Sequence, residues 1–273
     1  MIKASSAWAG EGLKELWQYR ELLYFLAWRD VKVRYKQTLF GVVWVVMQPL
    51  LMTLIFTVFL GMLARVPAGG KPYPLVVYTG LLPWTFFSSA VVGCIHSLVG
   101  NSNLITKVYF PRVLIPAASI LARLLDLAIS FGLLAGLMLY YRLVVHYPLT
   151  LTRNVLMLPF IVLLVVLFSL GLGMLVSSLN VKYRDIGVAI PVLIQLWMFT
   201  SPVVYSLDVV PEKWRPIYFL NPLAGMIDAF RTTMLGGEMN KFALLVSTIA
   251  TTGLLVIATY IFRRTQRSFA DVI

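Results

Sequence analysis

Six long apolar runs, separated by polar and charged segments, leave this chain few folds to choose from. They cover residues 38–64, 75–99, 113–141, 154–181, 186–207 and 242–262. Each reaches or exceeds the ~20 residues an α-helix needs to cross ~30 Å of hydrocarbon. Backbone polar groups in lipid must be paired within the protein, which restricts spanning segments to helices and closed barrels. A barrel would read as short alternating segments, and these runs are continuous. Charged residues make up only 12% of the chain, about half the usual share for a soluble domain. The expected fold is therefore an all-α integral membrane protein, a single transmembrane domain over 1–273 with six transmembrane helices.

The formal charge of +12 invites a nucleic-acid reading, but its distribution argues for topology instead. With six spans both termini share a side. That side carries 14 Lys and Arg, against 8 on the other, with Arg123 inside span 3. The positive-inside rule then places both termini in the cytoplasm. The first 38 residues mix acids with bases and show no apolar core before a small-residue site, so no cleavable signal peptide is expected. Cys94 is the single cysteine, which excludes a disulfide within the chain.

Residues 12–31 predict an amphipathic helix in the cytoplasmic interface, with Leu13, Leu16, Trp17, Tyr24, Ala27, Trp28 and Val31 at helical spacing. It can anchor span 1, form part of a docking surface, or both. Arg29–Lys36 forms a basic collar suited to anionic membrane lipid. Gln48-Pro49 inside span 1 predicts a kink and a buried amide. Gly80–Trp84 predicts a break near the outer end of span 2. In span 3, Arg123 and Asp126 stand three apart on one helix face, either a self-satisfied pair or a functional one. Ala128, Gly132 and Gly136 form a stripe that allows close helix approach, within the chain or between copies. Span 5 holds Pro191, Gln195, Trp197, Phe199, Pro202 and Tyr205, a composition for a helix that lines a cavity.

Two loops are not plain connectors. Asn101–Arg112 joins spans 2 and 3, with capping residues Asn101, Ser102 and Asn103 ahead of Pro111, which cannot continue a helix. A short helix over 101–110 is expected, and one so short needs a packing partner. Residues 208–237 are amphipathic, with Trp214, Tyr218 and Phe230 among polar residues, and Asn221-Pro222 opens a helix. They predict two short helices that dip into the outer interface as a lid over span 5.

Motifs for chemistry are missing. Gly69-Gly70-Lys71 is no phosphate loop, since Arg65 stands where a glycine is required and Pro72 where Ser or Thr is required. His96 and His146 fall on opposite predicted sides, which supports no zinc site. One embedded acid is sparse for a proton-coupled pump. The sequence predicts no enzyme and no cofactor on this chain, so uphill transport would draw energy from a docked partner.

Several stretches, ordered and correctly spaced over residues 28–237, carry a family resemblance. They are Arg29-Asp30-Val31-Lys32-Val33-Arg34-Tyr35-Lys36 with Gln48-Pro49, Gly80-Leu81-Leu82-Pro83-Trp84, and Asn103 through Arg112. Tyr183-Arg184-Asp185, Ser201-Pro202-Val203-Val204-Tyr205, Asn221-Pro222-Leu223 and Phe230-Arg231 complete the set. The chain resembles the membrane subunit of ABC-2 type exporters, in the polysaccharide branch that handles O-antigen, capsule and teichoic acid.

The resemblance implies a homodimer with two copies of a cytoplasmic ATPase, which would bind ATP and magnesium, exporting a lipid-linked polysaccharide across the bacterial inner membrane. It makes 101–110 a coupling helix, with Asn103, Lys107, Tyr109, Phe110, Arg112, Arg29 and Arg34 as contacts to the ATPase. It makes 208–237 a periplasmic gate built on Trp214, Tyr218, Asn221 and Phe230. For the glycan channel, Trp197, Phe199 and Tyr205 with Gln48 and Gln195 are the expected lining residues.

Overall fold

The computed structural model describes residues 17–36, 41, 43–148, 153–266 and 269. Among them every regular element is helical. Residues 12–16 of the helix predicted over 12–31, residues 38–40 and 42 of span 1 and most of the tail beyond 266 fall outside the described residues. Ten α-helices follow in order: α1 Arg20–Lys36, α2 Val43–Phe56, α3 Tyr73–Gly100, α4 Ser102–Lys107, α5 Leu114–Leu143, α6 Leu158–Lys182, α7 Ile186–Phe199, α8 Arg215–Tyr218, α9 Pro222–Leu235 and α10 Lys241–Thr265. A π-helical stretch, Thr57–Leu63, extends α2, and a short 3-10 stretch, Arg153–Met157, leads into α6.

Five helical stretches are long and apolar enough to cross a membrane: Val43–Leu63, Tyr73–Gly100, Leu114–Leu143, Arg153–Lys182 and Lys241–Thr265. They match five of the six expected spans. The sixth differs. α7 has 14 residues, about 21 Å at 1.5 Å per residue, and stops short of the ~30 Å core. Its end has a local cause. Pro202 lacks an N–H and disfavours helical geometry at Ser201. The Thr200 and Ser201 hydroxyls turn back onto the Trp197 carbonyl at 3.0 and 3.1 Å.

α3 is the central helix. Leu75 to Trp84, Phe86, Phe87, Ala90, Val91, Cys94 and Ile95 are buried, because α2, α5, α6, α7 and α9 all pack on it. The expected break at Gly80–Trp84 does not occur; α3 runs through Pro83 as one helix. Gly80 serves a neighbour instead: a Cβ there would lie 1.9 Å from the Val203 carbonyl oxygen. Gly173 likewise lets α6 approach α3, since its Cβ would lie 2.7 Å from Cys94 Sγ. The Gly132 and Gly136 stripe meets nothing within 4 Å, so packing within the described chain does not use it.

α9 opens at Asn221-Pro222 as expected and is packed among other helices. Eleven of its residues, from Leu223 to Leu235, are buried between α3, α6 and α10. Gly225 permits this, because a Cβ there would sit 2.6 Å from the Ala243 carbonyl oxygen of α10.

Candidate functional site

Three places gather the residues singled out in the sequence. The first is a cavity of about 600 Å³ bounded by α1, α2, α3, α5 and α7. Gln48 and Pro49 of α2, Gln195 of α7, and Trp84, Ser88 and Ser89 of α3 line it. Arg34, Arg123 and Asp126 line it too, which joins residues the sequence reading had assigned to three separate roles. Asp126 is not satisfied by its helix neighbour. Arg34 Nη1 bonds one carboxylate oxygen and the Tyr35 hydroxyl donates to the other, while Arg123 Nη1 stands 3.8 Å away. Asp126 lies about 18 Å along α5 at 1.5 Å per residue, so α1 packs along the side of α5, with Leu26 its one buried residue among those described. Arg29 is held by Asp30, Nη2 to Oδ1 2.8 Å.

The second place is the unwound chain after α7. Non-helical backbone is tolerated at membrane depth only where protein or water satisfies it. Here one side chain does so. Arg231 of α9 is 3% exposed. Its Nη2 donates to the carbonyls of Pro202 at 2.7 Å and Val203 at 2.9 Å, Nη1 to Tyr205 at 2.9 Å, and Nε to Val76 of α3 at 3.2 Å. A planar guanidinium with five donors suits such a fan of acceptors, and a lysine would not. The sequence reading placed Arg231 in an outer loop as a topological charge; the structure buries it.

Asn221 closes the same junction. Its Oδ1 accepts from Leu223 N at 3.2 Å as the α9 cap and from Trp197 Nε1 at 3.1 Å, and its Nδ2 donates to Ser201 Oγ at 2.8 Å. Trp197 packs edge-on to Phe87, ring centres 5.6 Å apart, and does not line the cavity. Tyr205 bonds Tyr218 through the hydroxyls, and burial first, then that bond, raises the Tyr218 pKa. Phe230 is buried edge-on to Phe131 at 5.5 Å. Phe199 and Trp214 are exposed, so the five expected channel residues divide: Gln48 and Gln195 line the cavity, and the three aromatics do not.

The third place is the end of the bundle that carries α4. Leu98, Ile105, Phe110, Leu114, Met174, Phe262 and Phe269 form one buried cluster, with Tyr19, Leu22 and Leu23 of the α1 segment against it. This is the partner the short helix needs. Asn101 occupies the cap position of α4, but its side chain donates back to the Ser97 carbonyl at 2.7 Å. Asn103 and Lys107 are exposed and Tyr109 is 82% exposed. Phe110 is in the core, and Arg112 donates to the Gln266 carbonyl and lies over the Phe269 ring. Only three of the five loop contacts expected from the resemblance therefore face outward.

These features define a helical, multi-pass membrane protein with a largely apolar cavity that carries a few polar and charged groups, and a broken helix held by one buried guanidinium, Arg231, and one amide, Asn221. Residues 21–235 match the family described as ABC-2 type transporter, and the chain belongs to that family. It is 28% identical to an O-antigen export system permease protein RfbA of Klebsiella pneumoniae, over 93% of this chain and 95% of the relative. A protein of the same name from Myxococcus xanthus is 28% identical over 96% and 98%. The polysialic acid transport protein KpsM of Escherichia coli is 23% identical over 78% of this chain and 81% of its own length.

Proposed function

We propose that this chain is the membrane-spanning permease subunit of an ATP-driven exporter that moves a lipid-linked polysaccharide, most specifically O-antigen of lipopolysaccharide, across the bacterial inner membrane. The observation that carries this reading is the relationship to O-antigen export permeases over at least 93% of the chain. The polysialic acid and capsule relatives are less similar and share 78–84% of the chain, which favours capsule export as the second reading. Export of teichoic acid, or of a drug or other lipid, is the remaining alternative.

In this reading the whole of 1–273 is one transmembrane domain. α7 and the unwound 200–207 stretch together make the sixth crossing, and α8 and α9 form the gate on the periplasmic side. Both termini and α4 are cytoplasmic, as the excess of Lys and Arg on that side supports. Two copies of this chain assemble with two copies of a cytoplasmic ATPase, which alone binds ATP and magnesium. The exposed apolar residues of α2, its π-helical extension and α7, such as Leu54, Phe59, Val188, Val192 and Leu196, suit burial against lipid or the second copy. The ATPase seats on Asn103, Lys107 and Tyr109. Gln48 and Gln195 offer amides to sugar hydroxyls, with Trp84 beside them as an apolar face for sugar C–H groups.

Deleting the gene and examining surface lipopolysaccharide on a gel tests the reading. Loss of the long-chain ladder, restored by the wild-type chain, is the expected result. An unchanged ladder with loss of capsule or of drug efflux would overturn the O-antigen assignment.

A further inference from the structure

Four consecutive carbonyls of the unwound stretch accept from side chains. Arg231 of α9 serves those of Pro202, Val203 and Tyr205. The fourth, that of Val204, accepts from the Tyr73 hydroxyl at 2.8 Å. Val204 is buried, and backbone outside a helix at membrane depth needs such a donor. Tyr73 stands at the start of α3, so the stretch is held from two separate helices.

The Tyr73 ring has a second contact, on the π-helical extension of α2. A Cβ on Gly61 would stand 2.8 Å from the ring's Cδ1 and 2.9 Å from its Cγ, so the ring seats on bare backbone. The π-helix brings the glycine there. Pro49, Thr53 and Thr57 are the buried residues of α2 and its extension. They recur every fourth position, and on an α-helix each such step drifts by about 40°. The wider π turn, bonded five residues back as in Ala64 N to Phe59 O at 2.9 Å, reverses that drift and returns Gly61 to the buried stripe. Lys71 Nζ donates to the Gly236 carbonyl at 2.6 Å. That bond ties the chain entering α3 to the end of α9 and fixes the base from which Tyr73 reaches.

We propose that Tyr73 is a positioning residue, a strut that couples the C-terminal end of α2 to the unwound 202–205 stretch, so that displacing one displaces the other. Gly61 is its seat and the Val204 carbonyl its hold. α2 also presents Gln48, Pro49 and Met52 to the cavity. On the exporter reading, on which this step alone rests, a cargo that fills the cavity shifts α2 and the strut passes that shift to the chain leading into the gate.

Hydrogen exchange, read by mass spectrometry on the full chain in detergent and without cargo, tests the strut through peptides covering 200–210. Gly61→Ala drives the ring off its seat and is expected to speed exchange there at least threefold, although the substitution lies in another helix. Tyr73→Phe keeps the ring and loses the hydroxyl, and should speed it by a similar factor. In the Tyr73→Phe background Gly61→Ala should add nothing, because the link is already cut. Gly132→Ala, with open space around it, is the control and should leave 200–210 at the wild-type rate. Unchanged exchange in either single variant, or additive effects in the double variant, overturns the strut. Should Gly61→Ala speed exchange in α6 and α10 as well, the reverse arm decides: Tyr73→Phe is expected to speed peptides covering 57–66 at least twofold, and no change there overturns the proposal. No cargo enters the experiment, so its failure leaves the exporter reading standing, and an unchanged lipopolysaccharide ladder leaves the coupling standing.

Discussion

The indole Nε1 of Trp197 donates to Oδ1 of Asn221 at 3.1 Å, so the last turn of α7 is tied to the first of α9 across the chain that separates them. The same oxygen caps α9 through Leu223 N, and the Asn221 amide nitrogen reaches Ser201. Asn221→Ala removes one cap, worth about 1 kcal/mol, and two side-chain bonds worth roughly 0.5–1.5 kcal/mol each. Thermal unfolding in detergent should show a loss of about 2 kcal/mol. Asn221→Asp keeps the acceptor and loses the two donated bonds, to Ser201 Oγ at 2.8 Å and the Thr200 carbonyl at 3.2 Å, so it should fall between the two. Equal stability of Ala and wild type would show that the junction is held elsewhere.

Arg231 should be less tolerant. Its four carbonyl partners include three in the unwound 202–205 stretch, and each buried carbonyl left unpaired costs roughly 1–3 kcal/mol. Arg231→Met is expected to cost more than about 3 kcal/mol or to prevent accumulation of protein in the membrane. Arg231→Lys, with one charged tip in place of a fork, should recover only part of the loss. Recovery of wild-type stability by lysine would contradict the role given to the fork.

At the α4 end, exposed and buried residues should separate by phenotype. Lys107→Glu and Tyr109→Ala leave the cluster around Ile105 and Phe110 intact, so protein levels should match wild type while O-antigen export falls at least tenfold. Arg112→Glu instead breaks the contact with Gln266 and Phe269 and should lower melting temperature as well as export. A purified complex with the ATPase would report the first pair through lost subunit association. Normal export by Lys107→Glu and Tyr109→Ala would remove this helix from the docking surface.

Gln48 and Gln195 line the cavity, whereas Phe199 faces outward. The double change to Ala at Gln48 and Gln195 should reduce glycan flux several-fold with little change in stability, because exposed amides contribute little to folding. Phe199→Ala should leave flux within twofold. The measurement is the rate at which the lipopolysaccharide ladder reappears after induction, and the reverse ranking would move the path away from this cavity.

Much of this protein is legible along the chain. Run length fixes α2 with its π-helical extension, α3, α5, α6 and α10, because crossing hydrocarbon demands ~20 apolar residues whatever the neighbours are. Asn221-Pro222 marks the start of α9 through backbone chemistry that acts within a few residues, whereas α4 ends at Lys107, with Val108 already extended, short of the 101–110 helix that Pro111 would have allowed. The end of α7 is also written locally, in Thr200-Ser201-Pro202, but its apolar surroundings hide it: Val203 and Val204 are buried in the core around α3 and α9, and Leu207 against Phe219 and Ala243, so all three read like more of the span.

What only the tertiary structure decided is where the charges go. In sequence, Arg231 is a cation beside polar residues and reads as solvent-exposed; in the fold it answers carbonyls about 26 to 29 positions upstream. Asp126 has a partner three residues away, yet its hydrogen bonds come from Arg34 and Tyr35, more than 90 positions earlier. Apolar length is a property that each segment carries alone. The partner of a buried charge is fixed only when distant segments pack, because pairing energy falls off over a few ångströms and sequence distance does not measure it.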